Sequence, residues 1–363
     1  MKTITMGLAA PRIVATLVPG APAPAARRAE QPSRIARWCG VLGLALLLLV
    51  PVAAATAQDA RSGKPVRIGR LSPLSAATDA PHLQAFRKAL GDLGWREGIG
   101  FVIEERFADG KPERLEVLAA DLVRRQVDLI LVGSTPGALA VKKATSTIPV
   151  VMVTTGDPVE AGIVASLARP GGNITGVTGL AHVLKAKRLE LLKEALPGVS
   201  RVAVLANPTS PYTPPFMQVR ERTARTLGLA VPVHEVRDRS GIAAGLQAIA
   251  AERPGAVMVL TDVMFITERR RIVELLTQHR LPAVYPEREF VDAGGLMFYG
   301  ASLASLYRHA AVYADRILKG ARPADLPVEQ PTTLELLVNL TAAKAIGLTL
   351  PPSVLARADR LIE

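Results

Sequence analysis

The sequence predicts an α/β protein of two lobes, each a doubly wound parallel sheet, and three observations carry that expectation. Short apolar runs of strand length alternate with helical-period segments along almost the whole chain, which is the pattern of a parallel sheet with crossover helices. The alternation yields ten or more strands, too many for one tidy sheet and suited to two. Extended, glycine- or proline-bearing stretches at Asn173 to Gly179, Tyr299-Gly300 and Pro323 to Pro331 offer places for the chain to cross between the two.

In the first series, Val66 to Leu71 reads as a strand closed by Ser72-Pro73, and Pro81 to Leu93 as a helix. Phe101 to Phe107 is extended, Pro112 to Arg124 helical, Val127 to Val132 a buried strand, Pro136 to Ala144 helical and Pro149 to Val153 a strand. The second series runs helix Leu184 to Ala195, strand Val202 to Leu205, helix Pro215 to Leu227, strand Ala230 to Val236 and helix Ser240 to Ala251. Strand Ala256 to Leu260, helix Phe265 to Gln278 and strand Ala283 to Tyr285 complete it. Then come strand Leu296 to Tyr299, helix Leu303 to Lys319, and a final unit of Leu334 to Leu340 with Ala342 to Ile346. The expected division is residues 61–175 with 299–322 in the first lobe and 176–298 with 323–363 in the second.

Residues 1–57 differ from the rest. They hold six bases against Glu30 alone, then an uncharged run from Cys39 to Val50 behind Arg34 and Arg37, and Ala55-Thr56-Ala57 before Gln58. A positive region, an apolar region and a small-x-small site are the parts of a cleavable Sec-type signal, and the run is short of the ~20 residues that span a bilayer. Export to the periplasm with cleavage near Ala57 is therefore expected, and residues 1–33 are expected to lie outside the functional signal. Cys39 precedes the apolar run instead of following it, so no lipid anchor is expected, and Arg27-Arg28 lies too far upstream for a twin-arginine signal.

Removing the leader's six bases and one acid from 44 and 32 leaves 38 and 31, so the mature net charge is +7 against +12 for the whole chain. The bases are dispersed apart from Arg269-Arg270-Arg271, and aromatic content is 4%, so stacking platforms for nucleic acid are missing. Cys39 is the only cysteine, which removes disulfides, thiol nucleophiles and Cys-ligated metal from the mature chain. The histidines His82, His182, His234, His279 and His309 are scattered without zinc-ligand spacing, and neither G-x-S-x-G nor G-x-G-x-x-G occurs. No cofactor or metal is expected, and catalysis has no motif behind it.

Ligands of open α/β sheets bind beyond the carboxyl ends of the strands. The candidate binding residues are therefore Ser72 and Ser75 after the first strand, Ser134 and Thr135 after the third, Thr155 and Asp157 after the next, then Asn207, Asp262, Tyr285 and Tyr299. Gly133-Ser134-Thr135-Pro136 ends a strand and opens a helix, so two hydroxyls and free backbone N–H groups suit a carboxylate, and an ordinary N-cap fits the same residues. Asp157 and Asp262 have two readings as well, as partners of a ligand ammonium or as caps of their own helices. Tyr212, Phe265, Tyr285 and Tyr299 offer aromatic walls or core.

The segments GDPVEAGIVASLARPGGNITGV (Gly156 to Val177), SRVAVLANP and HRLPAVYPEREFVDAGGLMFYG, with ILKGARPADLPVEQPTTLELLVNLTAAKAIGLTLPPSVLARAD at the end, resemble the exported substrate-binding proteins of ABC transporters, in the group containing tryptophan and tyrosine binders. The likeness runs from about Val66 to Glu363. It implies a type I periplasmic-binding-protein fold with three crossing segments, hinge closure on a small molecule, docking to an inner-membrane ABC permease, and a cleft lined by the loops already named. The expectation is a monomeric solute receptor for a small organic, carboxylate-bearing, amino-acid-like or aromatic ligand. A periplasmic sensor module and an α/β enzyme are the competing readings.

Overall fold

The computed structural model describes residues 64–363 apart from Thr155 and Leu180, and the side chains of residues 181–183 are not described. The expected leader, Cys39, Thr155 and the His182 side chain lie outside the described residues. Residues 63–363 form one compact unit built on two sheets.

The first sheet contains β1 (Val66–Ser72), β2 (Phe101–Phe107), β3 (Leu129–Gly133), β4 (Val150–Thr154) and β5 (Ile174–Thr178) in the order β2-β1-β3-β4-β5, all parallel. The helices α1 (Ala76–Asp92), α2 (Leu115–Arg124) and α3 (Thr135–Ala144) connect its strands. β3 and β4 are buried at every residue, as continuous apolar runs in a sheet covered on both faces must be.

The second sheet holds β6 (Val202–Ala206), β7 (Val233–Glu235), β8 (Ala256–Val259), β9 (Ala283–Tyr285), β10 (Met297–Gly300), β11 (Glu335–Asn339) and β12 (Arg360–Ile362). Its order is β12-β11-β10-β9-β8-β6-β7. β6 to β10 are parallel and repeat the winding of the first sheet, whereas β11 enters antiparallel to β10. The helices of this lobe are α4 (Ala181–Ala195), α5 (Thr213–Leu227), α6 (Gly241–Ala251), α7 (Val263–Thr267), α8 (Arg269–Gln278) and α9 (Arg288–Asp292). After β10 the chain returns to the first lobe as α10 (Leu303–Leu318), then ends in the second with α11 (Leu340–Ala345) and α12 (Pro352–Arg357). No helix among the described residues is long and apolar enough to cross a membrane.

Each sheet is covered on both faces. Phe86 and Leu90 of α1 pack with Leu306, Ala310 and Tyr313 of α10 on one face of the first sheet, and Leu115, Leu122 and Val141 cover the other. α10 thus supplies a helix that the first lobe's own chain does not.

Three crossings join the lobes, after Thr178, at Ala301-Ser302 and after Glu329. The expected lobe boundaries shift accordingly. Residues 175 and 176 both lie inside β5, which pairs with β4 through Thr178. Tyr299 and Gly300 belong to the second sheet. Residues 326–329 stay against the first lobe, where Thr175 Oγ1 donates to the Leu326 carbonyl and Thr178 N donates to the Glu329 carbonyl at 2.9 Å.

Two helices differ from expectation for local reasons. α1 starts at Ala76 because Ser75 caps it by accepting from Thr78 N, which leaves Pro81 inside the helix. The single helix expected over Phe265 to Gln278 is two, α7 and α8. Asp262 starts the first by capping, and the backbone leaves helical geometry at Glu268.

Candidate functional site

In each sheet the strand order reverses at one point, between β1 and β3 and between β6 and β8, and such switch points open a crevice at the strands' carboxyl ends. The two crevices face each other. An interlobe cavity of about 70 Å³ is lined by Ser72, Leu74, Gly133 and Ser134 from the first and by Thr261, Asp262, Val263 and Ile266 from the second. Tyr212, at the start of α5, lines it too, along with neighbouring cavities of about 650 and 230 Å³.

The first-lobe wall is a buried charge network. Arg70 in β1 is wholly buried and holds Asp79 of α1 through two bonds, Nε to Oδ2 at 2.9 Å and Nη2 to Oδ1 at 2.6 Å. Arg70 Nη2 also donates to the Tyr307 hydroxyl at 2.6 Å, Arg70 Nη1 donates to the Leu71 carbonyl, and Ser72 Oγ donates to Asp79 Oδ1 at 2.9 Å. Burial alone would raise the Asp79 carboxyl, but the Arg70 guanidinium beside it holds it well below the usual carboxylate range. Gly133 is required here, because a Cβ would come within 2.5 Å of the Tyr307 hydroxyl and 3.0 Å of Arg70 Nη2.

His82, one turn beyond Asp79, lies parallel to the Tyr307 ring with centroids 5.2 Å apart and meets Glu289 of α9 at 2.7 Å through Nε2. Burial works against its charge, yet the bonds to Asp79 and Glu289 raise the imidazolium to about 9. This contact ties the lobes together, as do Thr135 N donating to the Tyr212 hydroxyl at 3.1 Å and Arg239 Nη2 donating to the Asp109 carbonyl at 3.1 Å.

The second-lobe wall is different. Asp262 Oδ1 accepts from Met264 N and Phe265 N, and its Oδ2 accepts from Asn207 Nδ2 at 3.2 Å. Glu287, buried beside it, has its Oε2 without a hydrogen-bond partner among the described residues, and so does the Thr261 hydroxyl. Burial pushes the Glu287 carboxyl up to about 8, against the pull of Arg188. No group of three or more His, Cys, Asp or Glu among the described residues is arranged to hold a metal ion.

The family model for ABC transporter substrate binding proteins matches residues 71–362, nearly the whole described region. The chain belongs to this family. A tyrosine-binding protein of Clostridioides difficile (strain R20291) is 26% identical to this substrate-binding protein over 265 residues, covering 73% of this chain and 76% of that one. Two solved structures are similar throughout. The ABC domain from Streptococcus pneumonia in complex with L-Trp is 27% identical with a TM-score of 0.72, over 81% of this chain and 100% of that one. A conserved domain protein from Vibrio cholerae O1 biovar El Tor is 26% identical with a TM-score of 0.76, over 82% and 100%. Both lobes of this substrate-binding protein thus have counterparts of known structure.

The expected site residues divide three ways. Ser72, Ser134 and Asp262 line the interlobe cavity, and Asn207, Thr135 and Asp157 line its neighbours. Several of these are occupied locally. Ser134, at a left-handed φ of 77°, accepts from Gly137 N as the cap of α3, Asp157 Oδ1 accepts from Val159 N and Glu160 N, and Asn207 Oδ1 accepts from Thr209 N. Ser75 caps α1 and lines none of these cavities.

Tyr285 and Tyr299 do not face the cleft, contrary to expectation. Tyr285 stacks on Phe290 at 4.9 Å within the core under α8 and α9, because strand alternation sends it to the helix-covered face. Tyr299 packs against the core on the sheet's other side, and its carbonyl accepts from Arg188 Nε at 2.9 Å. Phe265, the remaining aromatic candidate besides Tyr212, is core as well.

Sequence reasoning missed Arg70, Asp79, His82, Tyr307, Glu287 and Lys185. A charged residue inside an apolar strand was the available signal for Arg70. Asp79 and His82, three apart on one helix face, were the signal for its partners.

Proposed function

We propose that this substrate-binding protein is the extracytoplasmic receptor of an ABC importer and captures an amino-acid-like molecule between its lobes. The observation that carries the ligand class is Glu287, a buried carboxyl in the cavity wall whose Oε2 has no hydrogen-bond partner among the described residues, beside the Thr261 hydroxyl, which has none among them either. An ammonium brings three donors and a charge, and would satisfy both groups while returning Glu287 to its ionised form. Both aspartates considered for this role have bonds of their own, so the glutamate takes it. Leu74, Val263, Ile266 and Leu303 supply apolar contact for a side chain, with Tyr212 and Tyr307 as aromatic partners.

The tyrosine-binding relative and the L-Trp complex support the amino-acid reading, and the signal-like segment before residue 58 supports export. Delivery to an inner-membrane permease as a monomer completes the proposal. A thermal-shift screen of amino acids, aromatic acids, short peptides and sugars tests it, since a ligand at 100 times its Kd adds about 2.7 kcal/mol to stability. A shift confined to amino acids is expected. Shifts produced by neutral sugars alone would overturn the ligand class.

A further inference from the structure

Glu287 is the residue before α9, is 6% exposed, and makes no capping bond to that helix through its side chain. Its Oε2, on the wall of the interlobe cavity, has no hydrogen-bond partner among the described residues. The carboxyls beside it are engaged. Asp262 accepts from Met264 N, Phe265 N and Asn207 Nδ2, and Glu289 meets the His82 imidazolium at 2.7 Å, which holds Glu289 below the usual carboxylate range against its burial.

The cations behind this wall are engaged as well. Arg188 of α4 donates through Nε to the Tyr299 carbonyl and through Nη2 to the Pro286 carbonyl. Lys185, one turn earlier on α4, has Glu160 as its counter-charge and donates to the Tyr212 carbonyl. From the first lobe, Arg70, Asp79 and Tyr307 are bonded to one another. Glu287 is thus a buried carboxyl with an open oxygen and two acidic neighbours, and such a group keeps its proton. Burial, with Glu289 and Asp262 adding to it and Arg188 opposing, lifts it to about 8.

We infer that capture of an amine-bearing ligand expels the proton of Glu287, so that each ligand bound is exchanged for one proton. This rests on the amino-acid reading and adds the ionic form in which the site takes its ligand. The ligand ammonium keeps its three N–H bonds, the Glu287 O–H bond breaks, and the proton passes to the bulk buffer, leaving a carboxylate–ammonium pair in the cavity. Binding therefore weakens in acid, where the carboxyl holds its proton more firmly. His82 does not offset this at pH 6, because Asp79 on its own helix lies 3.8 Å away and keeps the imidazole charged apart from any contact with the second lobe.

Calorimetric titration of the protein with L-tyrosine and L-tryptophan at pH 6, in phosphate and in imidazole buffer, counts the protons, since the two buffers take up a proton with different heats. About one proton released per ligand is expected, with affinity about tenfold weaker at pH 5.5 than at pH 6.5. In Glu287→Gln the release and the pH dependence are expected to vanish. A count near zero, or an affinity independent of pH, in wild type would overturn the exchange and leave the amino-acid reading standing, a result that needs no variant to fold. Release retained in folded Glu287→Gln would overturn the role of Glu287. If neither amino acid binds wild type, the amino-acid reading fails and the exchange with it.

Discussion

The two walls of the cleft are built from the same switch-point geometry and reach opposite electrostatic outcomes. On the first-lobe wall Arg70, Asp79, Ser72 and Tyr307 satisfy one another, with the guanidinium bonded at all three nitrogens. On the second-lobe wall Glu287 Oε2 and Thr261 Oγ1 are buried and without hydrogen-bond partners among the described residues. A closed network stiffens a surface and costs heavily when broken, whereas an open polar atom lowers stability until a partner arrives. The first wall is a frame and the second holds atoms that await a ligand.

The largest effect should come from breaking the frame. Asp79→Ala leaves Arg70 buried without its counter-charge and is expected to cost about 3–5 kcal/mol by denaturant unfolding. The double variant Arg70→Met with Asp79→Leu should recover most of it, and a double variant as unstable as the single would show that the loss is one of packing alone.

The bond between the walls comes next. His82 faces Asp79 on its own helix, Glu289 on α9 and Tyr307 on α10, whose ring the Arg70 guanidinium of β1 also approaches at 5.0 Å. Its pKa is raised on folding, to about 9, so its contribution is complete below the unfolded value of about 6.5 and disappears as pH rises through about 9. Wild type should exceed His82→Gln by on the order of 2–3 kcal/mol at pH 6, a margin that shrinks toward pH 10. A margin independent of pH would remove the charge from the account.

An effect of opposite sign belongs to the second wall. Folding raises the Glu287 carboxyl to about 8, so wild type loses stability as pH rises from about 4.5 to 8, and a neutral amide does not. Glu287→Gln should match wild type at pH 4.5 and exceed it by on the order of 4 kcal/mol at pH 8. A loss of stability at pH 8 would mean that this wall is a frame as well.

The alternation of apolar runs with helical segments was enough to read two doubly wound lobes, because strands buried on both faces leave continuous signals such as Leu129–Gly133 and Val150–Thr154. The carboxyl-end rule located the cleft loops, including Ser72, Ser134 and Asp262. It left two things illegible. Strand alternation at the carboxyl ends of β9 and β10 decides whether Tyr285 and Tyr299 face the cleft or the core, and one residue of register inverts the answer. Arg70 meets Tyr307 across 237 positions and His82 meets Glu289 across 207, contacts that only the return of α10 and the closure of the lobes create. Capping was legible as an alternative at Asp157 and Asp262, yet only geometry shows both aspartates engaged and Glu287 open.

The central claim, that the open atoms of the second wall receive a ligand amine, is tested most directly by titrating the protein with L-tyrosine and with 3-(4-hydroxyphenyl)propionate, the same molecule without its amine. The account predicts one L-tyrosine bound per chain and at least about tenfold weaker binding of the amine-free acid. Equal affinity for the two would contradict it.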